Sequence, residues 1–88
     1  MVEKIVTIIN KAGMHTRPAS NIVKIASKYR SDFSIIKNGY KINGKSIIGV
    51  MTLAAEQGST LILKFEGEDE EKASVEVIKF FEYGFGEL

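Results

Sequence analysis

Asn38-Gly39, set between two β-branched runs, constrains the fold of this chain more than any other dipeptide. A type I′ turn needs positive φ at both central positions, and asparagine and glycine accept that conformation most readily. Residues 32–37 and 40–43 therefore read as neighbouring antiparallel strands, with a second Asn-Gly at 43–44 closing the hairpin.

The rest of the pattern has to be compatible with that hairpin. Residues 2–9, VEKIVTII, are β-branched and partly alternating and end at Asn10, which makes them a strand. After a loop at Asn10–Gly13 the period changes. Ala19, Ile22, Val23, Ala26 and Tyr29 recur at helical spacing from Thr16 onward. Pro18 fits only a first turn, where its missing N–H costs nothing, so His15 or Thr16 is the N-cap. Ser46 caps a short helix reaching about Leu53. Thr60–Glu66 alternates as a strand, with Leu61, Leu63 and Phe65 on one face. Ala73, Val77, Phe80 and Phe81 form the apolar stripe of a last helix, and the acids at 68–71 suit the positive end of its dipole. The order is β-α-β-β-α-β-α. An antiparallel sheet with helices on one side buries every apolar face, so the fold class is α+β.

Eighty-eight residues leave room for one domain, 1–88, and no deep internal cavity. Any chemistry should lie near the surface. The absence of cysteine removes disulfides, thiolate nucleophiles and thiolate metal sites, and one histidine alone cannot hold zinc. No metal or cofactor is expected. No leader pattern or span-length apolar run is seen, so the expected location is the cytoplasm, without membrane insertion. Net charge is only +1, yet residues 1–45 carry nine basic and two acidic side chains (+7), and residues 46–88 three and nine (−6). Either the first half meets an acidic or phosphorylated partner, or folding interleaves the halves and cancels the field.

The chemically informative segment is Gly13-Met14-His15-Thr16-Arg17-Pro18. It sets the only histidine at a helix N-terminus, where unpaired N–H groups and the dipole's positive end converge. That field favours a neutral imidazole with a nucleophilic lone pair, and would stabilise a phosphoryl group once attached. Arg17 adds a permanent charge in a fork suited to phosphate oxygens. A histidine that merely caps a helix is the ordinary alternative. No second titratable group lies nearby in sequence, so neither an acid–base pair nor a hydrolytic site is expected.

NKAGMHTRPA at 10–19 resembles the active-centre signature of HPr, the histidine-containing phosphocarrier family of the phosphoenolpyruvate-dependent sugar phosphotransferase system. NGKSIIGVMTLAAEQGSTL at 43–61 is similar to the family's second signature. The resemblance implies an open-faced β-sandwich, a four-stranded antiparallel sheet with three helices on one face. It also implies a carrier rather than an enzyme. Enzyme I would phosphorylate His15 at Nδ1, and an enzyme IIA would receive the group. Arg17 would contact the phosphoryl group, with the N–H groups of Thr16 and Arg17 helping to bind it. Met14 replaces a commoner leucine, a near-isosteric change. The presence of His15 disfavours regulatory relatives that lack it.

Arg17, Asn21, Lys24 and Lys28 share a face of the first helix and read as a docking strip for acidic partners. Val50 and Leu53 can face the core, which leaves Ile47, Ile48 and Met51 as a contact patch. The family binds its partners through these two helices, so the partner-binding set is Ser20, Lys24, Ser27, Ile47, Ile48 and Met51. The context of Ser46 resembles the family's regulatory phosphorylation site, implying an HPr kinase/phosphorylase and a transcriptional regulator as further partners. A dianion there would keep the helix and repel acidic partners. A shuttle of this kind works best as a monomer. The same chemistry in a nitrogen-related or regulatory branch is the near alternative. A small nucleic-acid-binding α+β domain is the distant one; the chain lacks its exposed aromatic pairs and its clamping glycine loop.

Overall fold

The computed structural model describes residues 1–88. Its strands are β1 (Val2–Thr7), β2 (Asp32–Lys37), β3 (Tyr40–Asn43) and β4 (Thr60–Glu66). Its helices are α1 (Thr16–Ala26), α2 (Ile47–Thr52) and α3 (Glu70–Glu82), followed by a short turn at Gly84–Gly86. The sheet is antiparallel throughout, in the order β1-β4-β2-β3. No helix is long and apolar enough to cross a membrane.

Alternation decides which side of the sheet is covered. Val6, Phe33, Ile35, Leu61, Leu63 and Phe65 point to the helices and are buried with Ile22, Val50, Val77 and Phe81. Each such side chain contributes about 1.5–3 kcal/mol of burial. Phe33 and Phe65 face each other in register and stack at 4.7 Å. On the open face, Ile5 pairs with Ile62, and Ile62 with Ile36.

The hairpin forms as expected, with Asn38 at φ 50° and Gly39 at φ 84°. The second Asn-Gly works differently. Gly44 is not in the left-handed region; its missing Cβ makes room for Phe33, whose ring would lie 2.2 Å from such an atom. Asn43 accepts the Lys45 N–H through its side chain at 2.9 Å. Strand β1 stops at Thr7, although Ile8 still exchanges main-chain hydrogen bonds with Ser59 and Gly58.

Folding interleaves the two oppositely charged halves of the chain. Every ion pair joins a cationic group from the first half to a carboxylate from the second: Met1 to Glu70, Arg17 to Glu87 and Lys28 to Glu76, while His15 also hydrogen-bonds to Glu87. Lys37 and Lys45 are also used internally, donating to the carbonyls of Leu53 and Tyr29. The acids near α3 divide their work. Glu70 and Glu71 occupy the first turn, whereas Asp69 turns away from the helix and accepts the N–H groups of Arg30 and Ser31. The Ser31 hydroxyl, joined by those N–H groups, holds the Asp69 carboxyl down at about 2.

Candidate functional site

The loop from Asn10 to Gly13 hands the chain from β1 to α1, and its conformation determines where the histidine stands. Gly13 has φ 72° and lies so close to the backbone at Ala55 that a Cβ would come within 2.7 Å of the Ala55 oxygen. Met14 donates to the same carbonyl at 2.9 Å and buries its side chain. The loop is thus clamped on the far side of α2, and His15 emerges as the N-cap of α1. Of the two candidate caps, Thr16 is already the first helical residue.

His15 makes no side-chain cap bond. Its ring turns outward with 40% of the side chain exposed. Helix geometry gives the Thr16 and Arg17 N–H groups no intrahelical acceptor, and Pro18 has no N–H. Ala19 makes the first backbone bond, to the His15 carbonyl at 3.0 Å. Two open donors therefore flank an accessible imidazole.

Arg17 and His15 meet through a third residue, one that sequence spacing did not predict. Glu87 accepts from His15 Nε2 at 2.9 Å and 3.1 Å through its two carboxylate oxygens. It also accepts from Arg17 Nη2 at 3.1 Å and from the buried Asn10 amide at 2.9 Å. Only 13% of the Glu87 side chain is exposed. Burial pushes its carboxyl up, but the hydrogen bonds from Asn10, Arg17 and His15 outweigh that and hold it below the usual carboxylate range. No second titratable group lies near His15 in sequence, but the fold brings one from 72 residues away. The only available sequence signal was Gly84-Phe85-Gly86, which marks a turn that brings the chain back after α3.

The second predicted segment lies where expected. Ser46 is the N-cap of α2 and accepts the Gly49 N–H at 3.0 Å. Val50 and Leu53 are buried, while Ile47, Ile48 and Met51 are exposed, Ile48 by 78%. On α1, Lys24 is exposed without a carboxylate partner, Ser20 and Asn21 are half-buried, and Ser27 is the exposed C-cap. Lys28 departs from the expected strip. It lies past the end of α1 and pairs with Glu76, which also accepts from Tyr29.

Comparison with known proteins places this arrangement. The family described as "PTS HPr component phosphorylation site" matches residues 2–83. The chain belongs to the HPr family. A phosphocarrier protein HPr from Xylella fastidiosa is 39% identical over 87 residues, covering 99% of this chain and 98% of its own. The HPr-like protein Crh of Halalkalibacterium halodurans is 45% identical over 82 residues, covering 93% and 98%. Among solved structures, HPr-C-His from Thermoanaerobacter tengcongensis superposes with a TM-score of 0.96 at 42% identity, covering 100% of this chain and 99% of that one. An HPr dimer from the same bacterium matches with a TM-score of 0.79 at 42% identity, covering 99% and 100%. HPr proteins are phosphocarriers of the phosphotransferase system, and their architecture of three helices on a four-stranded antiparallel sheet is the one found in this chain.

Proposed function

We propose that this chain, acting as one HPr-like unit over residues 1–88, accepts a phosphoryl group from phospho-enzyme I on His15 and donates it to an enzyme IIA. The observation that carries this reading is the exposed His15 ring at the N-cap of α1, linked through Glu87 to the Arg17 guanidinium. Phosphoryl transfer passes through a loose transition state, so the protein's task is to position groups and stabilise charge. Arg17 uses one N–H on Glu87 and keeps the rest of its fork for phosphoryl oxygens. The free N–H groups of Thr16 and Arg17 would supply two further donors. Exposure lets two partner proteins reach the same ring in turn. The covalent product is a phosphohistidine, and the chain is a carrier rather than a catalyst.

Partners dock on the exposed ends of α1 and α2. Ile47, Ile48 and Met51 provide apolar contact, while Ser20, Lys24 and Ser27 provide polar and cationic contact with acidic surfaces. Ser46 lies at the edge of that patch, half-buried. Its phosphorylation by an HPr kinase/phosphorylase would add a dianion among the docking residues and present a new surface to a transcriptional regulator. The protein shuttles in the cytoplasm as a monomer, a state that sedimentation would separate from the dimers seen among its relatives.

Incubation with enzyme I and phosphoenolpyruvate should add one acid-labile, alkali-stable phosphoryl group. Label that persists in a His15→Ala variant refutes the assignment.

A further inference from the structure

We propose that the trough between α1 and α3 is a docking surface for an amphipathic helix with acidic flanks, presented by a partner protein. It lies across α1 from Ile47, Ile48 and Met51, and it stands without any phosphoryl chemistry.

Helix packing sets its position. α3 packs over β1 and β4 and α2 beside β3, so α1 separates the two. Ile25 leaves α1 on the α3 side and meets Glu76, Lys79, Phe80 and Tyr83 around a shallow hollow of about 250 Å³. Tyr29, Lys72 and Val75 line a second hollow that shares Glu76, so the two join end to end. Along α3, residues 72, 75, 79 and 83 recur at three- and four-residue spacing and share one face. Val75 is 67% exposed and Tyr83 70%. Two apolar side chains thus stand open, two turns apart, beside the half-buried Ile25, Tyr29 and Phe80.

Charge selects the occupant. Arg17 pairs with Glu87 and Lys28 with Glu76, so these four groups cancel. Both pairs reach from α1 to α3 or to the turn after it, so the basic strip of α1 overlooks α3. Lys24, Lys72 and Lys79 have no carboxylate within ion-pair distance. Against these three cations stands Glu71, at the far end of the second hollow, whereas Glu82 lines neither. An approaching segment meets surplus positive charge above an apolar floor. Acidic flanks are steered in and basic ones are turned away.

Shape selects a helix. The first hollow holds one or two side chains rather than a whole small molecule. Its walls are helices, which offer no open strand edge for an added β-strand. α3 runs for 13 residues, about 20 Å, which a helix of three to four turns matches. Apolar residues at i, i+3 and i+7 of that helix would lie over Ile25, Phe80 and Tyr83, with Tyr83 as the anchor. Three free cations beside an acid are few for gripping the phosphates of a nucleic acid. Because α2 stays uncovered, one partner can sit in the trough while another occupies the α2 patch.

The test titrates the full-length, 15N-labelled chain with a synthetic helical peptide of about four turns. The peptide carries leucines at i, i+3 and i+7 and glutamates on both flanks. Amide shifts should centre on Ile25, Phe80 and Tyr83 and saturate at about millimolar peptide or below. Tyr83→Ala and Val75→Asp, both at exposed positions, should each weaken binding about tenfold. Lys79→Glu should do the same and reduce its salt dependence. A peptide of identical composition, with its leucines scattered round the helix, should not bind. Absent shifts, shifts centred on Ile47 and Ile48, or undiminished binding by the scattered peptide or the Tyr83→Ala variant overturns the proposal. So does tighter binding at the same residues by a thymidine oligonucleotide or by phosphatidylserine vesicles, which would make the trough a polyanion site. Concentration-dependent shifts at the trough without peptide would overturn it too, by making the occupant a second copy of this chain.

Discussion

The N-termini of α1 and α2 start from the same problem and resolve it in opposite ways. Each presents backbone N–H groups that the helix itself cannot satisfy. At α2, Ser46 folds its hydroxyl back and accepts from Gly49, which closes the end. At α1, His15 occupies the equivalent position, forms no cap bond, and sends its ring out to Glu87. A capped end contributes stability. An uncapped end costs some, and its first N–H groups keep no partner within the helix. The difference separates a helix end closed by its own cap from one whose backbone donors the helix leaves open.

Exchanging the two solutions should have the largest effect. His15→Ser places a good cap on α1, so phosphoryl uptake should vanish while thermal unfolding shows stability raised by about 1 kcal/mol. A variant no more stable than wild type would mean that the α1 end is already satisfied. Next comes Arg17→Ala, which leaves the cap arrangement alone and removes the guanidinium. Rapid-quench measurement of transfer from enzyme I should show a loss on the order of 10²-fold at unchanged stability. Ser46→Asp keeps a capping oxygen at α2 while adding charge beside the exposed Ile47, Ile48 and Met51, the docking patch proposed above. Affinity for enzyme I should fall about tenfold, equivalent to about 1.4 kcal/mol, with helix content unchanged by circular dichroism. The smallest effect is Ser46→Ala, which should cost about 1 kcal/mol of stability without altering transfer kinetics.

Acid sharpens the comparison through a third helix start. Asp69 begins α3 but spends its carboxylate on Arg30 and Ser31. Its folded value, about 2, lies below its ordinary 3.8. A depressed carboxyl contributes stability that is fully present above the unfolded value and is lost as pH falls through the folded one. Stability should therefore decline between about pH 4 and 2, and an Asp69→Asn variant should show a flatter fall across that window in denaturant titrations. Glu87 is also held low, so its grip on His15 and Arg17 should persist to mildly acid pH before protonation releases it.

Sequence reading succeeded where cause and effect lie close together along the chain. Asn38-Gly39 specified its turn, alternation specified β4 to the residue, and Ser46 with Ile47, Ile48 and Met51 took the predicted places. His15 and Arg17 were legible because the helix start and both side chains fall within one turn. The site's third member was not. Nothing local to Glu87 shows which loop it will meet; that depends on how α3 packs and on a left-handed turn anchored by Phe85. The place of Lys28 was hidden in the same way, since it meets Glu76 only through tertiary contact. Gly44, which resembled a second turn signal, is small because of Phe33, another distant partner.

The strand order carries a consequence for how the chain comes together. β4 lies between β1 and β2, so the two strands made earlier share no hydrogen bonds with each other. As synthesis proceeds, the emerging first half can close its hairpin but has no middle for its sheet, and its excess of positive charge repels itself. Residues 60–66 and the acids that follow complete the ladder and neutralise that charge together. Cooperative assembly must therefore wait for the last third of the polypeptide, when the keystone strand arrives.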